Sequence, residues 1–168
     1  SSFGWRFINP KLETVYGVDG MGVTAENLVD KYSISRDDQD AFAFRSHMKA
    51  TAARDSGRLA QEIIPVHIPR RKQDDLIFEH DEFIKPETTV QILAKLRPAF
   101  RKEGGSVTAG NSSGLNDGSA ALLLANESGL SSSGLTPLAQ IISSAVVGVE
   151  SRIMGIGPVP AANMALQR

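Results

Sequence analysis

The sequence "TAGNSSGLNDGSAALLLA", residues 108–125, passes from glycine and small polar side chains to an unbroken apolar run. Glycine allows positive φ and lets another group approach the main chain closely. Gly110, Gly114 and Gly118 therefore indicate a tight backbone path, and the serines and asparagines between them can bond neighbouring amides or a ligand. Two interpretations are open: a turn that leads into a buried strand, or a ligand-binding turn. Neither nucleotide motif, G-x-x-x-x-G-K-S/T or G-x-G-x-x-G, is present.

The composition around this segment is that of an ordinary globular chain. Its 168 residues are 41% hydrophobic and 22% charged, with a formal net charge of −1, which predicts one or two domains. The lack of a basic excess argues against nucleic acid or an anionic membrane as a partner. No stretch approaches the roughly 20 apolar residues of a membrane helix, and the opening lacks a signal-peptide pattern. A cytoplasmic location is therefore expected.

Three helices are predicted in the first two thirds of the chain. The first has apolar residues at spacings of three and four within 25–32. The second begins after Ser35, where an acidic residue three positions later completes a capping box, and ends at Gly57. The third lies between Thr88 or Thr89 as its cap and Pro98. One side of the second helix is apolar and is expected to pack against a core: Ala41, Phe44, Met48 and Ala52.

Strands are predicted in two parts of the chain. Pro65 and Pro69 cannot donate to a ladder, so the β-branched residues around them predict edge strands and an extended excursion. After the glycine-rich segment, residues 119–126 and 138–149 are apolar runs of strand length, as expected for strands covered on both faces. The change of character near 106–114 predicts a domain boundary.

Two more helices are predicted in the last third. A short one lies within "ESGLSSSGL", between the two apolar runs, and another begins at Pro158 or Pro160. The resulting order, strand, short helix, strand, helix, indicates the α/β class.

The glycine-rich segment closely resembles the T-A-G-N-A-S-G-x-N-D-G-A-A-A signature of thiolases, the enzymes that make or cleave 3-oxoacyl-coenzyme A. In thiolase order, "GMGVTAENL", "SRDDQDAFAFRSH", "KPETTVQILAKLRPAFRKEGGSVTAGN" and "MGIGPVPA" also resemble thiolase segments. The opening "GWRFINP" resembles 3-oxoadipyl-coenzyme A thiolases, which commonly have a serine and a proline where this chain has Gly20 and Gly22. The resemblance implies such a thiolase, with a general acetyl-coenzyme A acyltransferase as the alternative.

The resemblance also implies an architecture and partners. Residues 1–114 would form the thiolase loop domain that covers coenzyme A, 115–137 the return into the N-terminal core domain, and 138–168 the start of the C-terminal core domain. These core domains have α/β/α/β/α layers, and the parent enzyme would be a homodimer or homotetramer. Coenzyme A and acyl-coenzyme A would be substrates, with no permanently bound cofactor, nucleic acid or membrane. A stand-alone coenzyme A-binding or assembly module without catalysis is the alternative.

In thiolases the glycine-serine turn lies against the pantetheine arm of coenzyme A. Lysine offers a phosphate one point charge without the planar fork of arginine, which the family often has at the nucleotide end. By residue type alone, the methionine and the phenylalanine of the implied site would be interpreted as core residues, and it is the register of the motifs that favours ligand contacts. The implied positions are Met21 at the acyl end, Lys85 at the nucleotide end, Ala99 and Phe100 near adenine and pantetheine, and Ala109 and Ser113 at pantetheine.

Catalytic residues are not assigned in this chain. Thiolase chemistry needs a cysteine thiolate to take the acyl group, a histidine, a second cysteine and an oxyanion hole. The chain has no cysteine, and the family's N-E-A-F-A and G-H-P motifs do not occur in it. We therefore expect no turnover by this chain alone.

The remaining candidate groups are interpreted as structural or solvated. His47 and His67 lie in no catalytic motif of the family. His80 has acidic neighbours but no second ligand at helical or hairpin spacing, so no metal site is predicted. The basic run at 70–72 is interpreted as solvated surface, with phosphate contact as the alternative.

Overall fold

The computed structural model describes residues 5–168, which fall into two compact units. One unit is Gly20–Gly114, and the other combines the segment that ends at Asp19 with Leu115–Arg168. The described residues contain these helices and strands: α1 (Pro10–Tyr16), α2 (Met21–Tyr32), α3 (Arg36–Asp55), β1 (Val66–Ile68), β2 (Leu76–Phe78), α4 (Val90–Ala94), α5 (Glu127–Ser133) and α6 (Pro158–Leu166), with 3-10 turns at Leu59–Gln61 and Ser151–Ile156.

The three predicted helices of the Gly20–Gly114 unit are confirmed as α2, α3 and α4. Ser35 is the N-cap of α3: its Oγ accepts from the Asp38 N–H at 3.0 Å and donates to Asp38 Oδ2 at 2.7 Å. Gly57, with φ +75°, follows the end of α3. The Oγ1 of Thr89 accepts from the Ile92 N–H at 3.1 Å, which makes Thr89 the cap of α4. Side-chain capping hydrogen bonds therefore set the first residues of α3 and α4.

The apolar side of α3 is less buried than its pattern predicts. Ala41, Phe44 and Met48 are half-buried and Ala52 is exposed, so the expected core contact is incomplete. Within Gly20–Gly114, Leu93 and Val107 are the fully buried apolar side chains. Buried polar side chains are more numerous: Thr24, Glu26, Asp40, Thr88, Ser106 and Thr108. Since buried polar groups are normally hydrogen-bonded, hydrogen bonds have a large part in fixing the geometry of this unit.

The predicted edge strands are confirmed as a two-stranded antiparallel hairpin. Val66 pairs with Phe78 and Ile68 pairs with Leu76, and both strands are exposed along their whole length. Pro65 and Pro69 flank β1, where a missing N–H costs no central ladder bond.

The prediction of two covered strands at 119–126 and 138–149 is wrong for this structure. These two apolar segments have no ladder partner in the described residues, whose sheet consists of β1 and β2 alone. Leu122 is 91% exposed and Val146 is 93% exposed. Apolar character indicates that a segment suits a covered position, but a strand also needs a hydrogen-bonded neighbouring strand, and none pairs with these segments among residues 5–168.

The second unit contains the two helices predicted for the last third. The Oδ1 of Asn126 accepts from the Gly129 N–H at 2.8 Å and caps α5, and Pro158 begins α6. Helix α1 was not predicted. Arg152 donates to Asp19 Oδ2 at 2.8 Å, and this hydrogen bond, followed by the charge attraction, raises the pKa of the Arg152 guanidinium. No helix in the described part of the chain is long and apolar enough to cross a membrane.

Candidate functional site

The glycine-rich turn begins at two backbone amides that are held by one buried carboxylate. Glu26, on α2, is completely buried. The Ser106 N–H donates to both of its carboxylate oxygens at 3.0 and 3.2 Å, and the Val107 N–H donates to Oε1 at 2.9 Å. The Ser106 hydroxyl adds a third donor at 3.3 Å from Oε2. Hydrogen bonds to an ionised acceptor are among the strong ones, so Glu26 fixes the entry to the turn.

Asn111 and Thr108 close the turn on itself. Asn111 Oδ1 accepts from the Thr108 N–H at 2.7 Å, while its Nδ2 donates to the Ser106 carbonyl at 3.1 Å and to Asp40 Oδ1 at 3.0 Å. The Thr108 hydroxyl oxygen accepts from the N–H groups of Gly110 at 3.2 Å and Asn111 at 3.3 Å. The turn is therefore a closed hydrogen-bond network that is attached to α3 through Asp40.

Asp40 and Arg36 connect this network to α4. Arg36 Nε donates to Asp40 Oδ2 at 2.8 Å. Its Nη2 donates to the carbonyls of Leu93 at 2.8 Å and Leu96 at 3.0 Å. The guanidinium therefore bonds the last turn of α4 and the segment that follows it while it pairs with the buried carboxylate.

The absence of a side chain at Gly110 lets the turn pack against α4. A Cβ at Gly110 would lie 2.5 Å from Leu96 Cδ1 and 2.6 Å from Leu93 Cδ2, well inside van der Waals distance. Gly118 differs, since a Cβ there would meet nothing within 4 Å. Gly110 is therefore needed for close packing of the turn against Leu93 and Leu96, whereas close packing does not explain the glycine at position 118.

All six implied coenzyme A-binding residues lie in the Gly20–Gly114 unit. Ala109 and Ser113 are exposed on the turn, so their outer faces are open to a ligand. The Ala99 N–H donates to the Val107 carbonyl at 2.9 Å and joins the 99–100 segment to the turn. Phe100 is 38% exposed and Met21 is 68% exposed. The Phe100 ring lies against Gly22, the residue that follows Met21.

Lys85 makes a different set of contacts. Its Nζ donates to the Glu82 carbonyl at 3.4 Å, and its backbone N–H donates to His47 Nδ1 at 3.3 Å. None of these described hydrogen bonds reaches the turn. His47 therefore accepts a backbone hydrogen bond, which is a structural role and agrees with the interpretation of this histidine as structural or solvated.

The other charged candidates lie on exposed surface. Arg70, Arg71 and Lys72 are exposed in the turn between β1 and β2, His67 is exposed on β1, and His80 is exposed after β2. Among residues 5–168, no group of three potential metal-ligating side chains comes together.

Sequence reasoning missed the residues that hold the turn. Polar residues within a helix are expected to face water, so Glu26, Arg36 and Asp40 gave no signal of burial in their helical pattern. The partners of Glu26 and Asp40 in the turn lie 71 to 81 positions away along the chain, and the carbonyls that Arg36 bonds lie 57 and 60 positions away. The presence of Glu26 within "GMGVTAENL", one of the thiolase-like segments, was the signal that could have identified it.

Comparison with known proteins supports the resemblance. The family model described as the N-terminal domain of thiolase matches residues 6–128. Over its whole length the chain is 51% identical to a beta-ketoadipyl-CoA thiolase of Pseudomonas aeruginosa, of which it covers 41%. It is also 50% identical to a probable acetyl-CoA acyltransferase of Staphylococcus epidermidis, of which it covers 45%.

The fold agrees with these matches. The crystal structure of the Bacillus anthracis acetyl-CoA acetyltransferase superposes with a TM-score of 0.84 at 44% identity, over 96% of this chain and 43% of that one. The chain therefore spans less than half the length of each of these relatives. The sequence match and the fold lead to one conclusion: the chain belongs to the thiolase family.

Proposed function

We propose that this chain is the coenzyme A-holding part of a thiolase that transfers acyl groups between 3-oxoacyl-coenzyme A and coenzyme A. The observation that carries the proposal is the turn at 106–113: buried Glu26 accepts from its backbone and buried Asp40 accepts from the side chain of Asn111, while Ala109 and Ser113 remain exposed. Pantetheine is long, thin and amide-bearing. It suits a groove that presents polar groups with little side-chain bulk, and this turn has that composition.

The acyl substrate that we propose is 3-oxoadipyl-coenzyme A. The Pseudomonas aeruginosa relative supports this choice by its name and its 51% identity, and the Staphylococcus epidermidis relative supports the more general alternative. We also propose the division into a loop domain at 1–114 and core segments at 115–137 and 138–168, the homodimeric or homotetrameric parent, and the cytoplasmic location. No permanently bound cofactor is needed for this function.

A stand-alone coenzyme A-binding module is the less favoured alternative. The two apolar segments at 119–126 and 138–149 leave large side chains in water, including Leu122 and Val146. Exposed apolar surface of this kind marks an interface with other polypeptide. We therefore favour a chain that functions together with further thiolase sequence.

The purified chain alone is expected to show no thiolysis. Taking the acyl group from a thioester needs a thiolate, and these 168 residues contain no cysteine. The measurement is the loss of 3-oxoadipyl-coenzyme A in the presence of coenzyme A at several protein concentrations. A rate that rises in proportion to the amount of chain would contradict the proposal that the transferring groups lie elsewhere.

Ser113→Ala is expected to weaken coenzyme A binding by about 1 kcal/mol, roughly fivefold in Kd, which is typical of one lost hydrogen bond. Isothermal titration of the chain with coenzyme A measures the change. Ser56→Ala is the matched control, because the Ser56 hydroxyl donates only to the Ala53 carbonyl at the end of α3 among the described bonds. Equal affinity of Ser113→Ala and the unmodified chain would refute the contact between Ser113 and pantetheine.

A further inference from the structure

The side-chain amide of Asn111 is held by hydrogen bonds at both of its ends. Its Oδ1 accepts from the Thr108 N–H at 2.7 Å, and its Nδ2 donates to Asp40 Oδ1 at 3.0 Å and to the Ser106 carbonyl at 3.1 Å. A flipped amide would set its NH₂ group against the Thr108 N–H and its oxygen against two other acceptors. These contacts therefore permit one orientation of the Asn111 side chain.

The carboxylate that Asn111 bonds is itself oriented by Arg36. The two oxygens of Asp40 have different partners: Oδ2 accepts from Arg36 Nε at 2.8 Å, and Oδ1 accepts from Asn111. Arg36 Nη2 also donates to the carbonyls of Leu93 and Leu96, and the planar guanidinium fixes the directions of these bonds. Since the Asp40 side chain is only 2% exposed, water has little access to either oxygen. Asn111 is therefore bonded to a carboxylate that cannot easily turn away.

The rest of the turn depends on the position of Asn111. Thr108 is completely buried and Ala109 is exposed, so the chain changes direction sharply between them. The Thr108 carbonyl accepts from Ser112 Oγ at 2.6 Å, which is a bond within the turn. Between residues 108 and 113, the described side-chain bond that reaches α3 is the one from Asn111 to Asp40. This bond therefore fixes how the exposed part of the turn is placed on α3.

We propose that Asn111 is a positioning residue for coenzyme A: through Asp40 it holds the turn on α3, so that exposed Ala109 and Ser113 keep one arrangement. The inference rests on the proposed function, which takes this turn as the surface that holds the ligand. Asn111 itself needs no contact with coenzyme A. Its role concerns the shape of the exposed side of the turn, and the experiment has to separate that shape from the stability of the unit.

Asn111→Asp keeps the shape of the side chain and sets a carboxylate oxygen against Asp40 Oδ1. Two carboxylates at hydrogen-bond distance repel each other when both are charged, whereas at low pH a shared proton restores a donor between them. The other charged groups at this place are Arg36, which bonds Asp40, and Glu26, which accepts from the neighbouring Ser106 N–H. Both are present in the unmodified chain, so each variant is compared with that chain at the same pH.

Isothermal titration with coenzyme A should give Asn111→Asp a Kd about tenfold above that of the unmodified chain at about pH 7.5, and within about threefold of it at about pH 5. Asn116→Asp is the matched control for the added charge. Asn116 is exposed in the same glycine-rich segment, and its side chain has no hydrogen bond to any residue that the structure describes. A Kd ratio for Asn111→Asp that is the same at both pH values, or that equals the ratio for Asn116→Asp, would overturn the inference.

Amide hydrogen exchange without ligand separates a displaced turn from general unfolding. In Asn111→Asp at about pH 7.5, the Thr108 N–H should exchange roughly tenfold faster, because a carboxylate that moves away from Asp40 removes its acceptor. The Val107 N–H, whose acceptor is Glu26, should keep its protection. Equal loss at both amides, or loss at neither, would overturn the inference. An unmodified chain that binds no coenzyme A would overturn the proposed function, while the exchange result would still decide whether Asn111 holds the turn.

A double variant covers the case in which Asn111→Asp does not fold. Asp40→Asn combined with Asn111→Asp exchanges the two groups: the amide at position 40 can donate to the carboxylate at position 111 and still accept from Arg36. At about pH 7.5 this double variant should bind coenzyme A roughly threefold or more tightly than Asp40→Asn alone. A double variant that binds no better than Asp40→Asn would show that the contact between positions 40 and 111 does not position the turn, and would overturn the inference.

Discussion

Glu26→Ala is expected to lower the free energy of unfolding of the Gly20–Gly114 unit by about 3 kcal/mol, because it removes a charged acceptor and leaves buried donors without a partner. The N–H groups of Ser106 and Val107 and the Ser106 hydroxyl all donate to this carboxylate. Both residues of the turn are buried, so water cannot readily replace the lost acceptor. Urea denaturation followed by circular dichroism at 222 nm measures the change, since α2 and α3 supply much of the helical signal.

Glu26→Gln and Glu103→Ala are the companion variants. Glutamine preserves the shape of the side chain and one oxygen acceptor, but its NH₂ group faces backbone donors. We expect a loss of about half that of Glu26→Ala for this reason. Glu103 is exposed, and its replacement should change stability by less than about 0.5 kcal/mol. A Glu26→Ala chain as stable as Glu103→Ala would contradict the role assigned to the buried carboxylate.

Asp40→Ala should lower the free energy of unfolding by about 3 kcal/mol, because removing one member of a buried ion pair leaves the other charge uncompensated. The side chain of Asp40 is almost fully buried and that of Arg36 is only partly exposed. Asp40 also accepts from Asn111 Nδ2 at 3.0 Å, so the variant detaches the turn from α3 as well. The same urea titration measures the loss, and calorimetry should show weaker coenzyme A binding at a temperature where the variant remains folded.

The chain supplies a control with the same spacing. Arg58 and Glu62 also form an ion pair four residues apart, but both side chains are exposed. Exposed pairs contribute less than about 1 kcal/mol, so Glu62→Ala should have a small effect that salt reduces further. Equal losses for Asp40→Ala and Glu62→Ala would show that burial is not what makes the Arg36–Asp40 pair important.

Predictions from the sequence succeeded where the signal was local. Ser35 and Thr89 have side chains that bond an amide three residues ahead, and their helices begin where these caps predict. Helix α1 had the same kind of signal and was still missed: Asn9 Oδ1 accepts from the Lys11 N–H at 3.0 Å and Pro10 occupies the first turn.

Predictions failed where the deciding group is distant in sequence. The apolar segments at 119–126 and 138–149 suit a covered strand, but neighbouring strands are not encoded in the segments themselves. By residue type, Glu26 and Asp40 suit the exposed side of a helix. They are buried because donors far along the chain bond them: a backbone N–H for Glu26 and the side-chain amide of Asn111 for Asp40. A sequence pattern predicts whether a side chain prefers water or the interior. It does not identify a distant hydrogen-bond partner that buries a polar side chain.

Three of the implied ligand residues are grouped at the glycine-rich turn. Ala109 and Ser113 lie together on the exposed side of the turn, and Ala99 is hydrogen-bonded to the same segment. These positions came from the thiolase-like motifs and not from residue chemistry, since alanine and serine carry no distinguishing signal. Their contacts with coenzyme A, and those of Met21, Lys85 and Phe100, stay predictions.

The distance of 80 positions between Glu26 and Ser106 has a consequence for biosynthesis. At about 5 to 20 residues per second, the ribosome needs roughly 4 to 16 s to make the donors after it has made the acceptor. During that time the Glu26 carboxylate remains hydrated on a helix that cannot yet be buried. The glycine-rich turn is thus the last part of the Gly20–Gly114 unit to be synthesised. The surface proposed to hold the ligand can therefore form only after α2, α3 and α4 have been made.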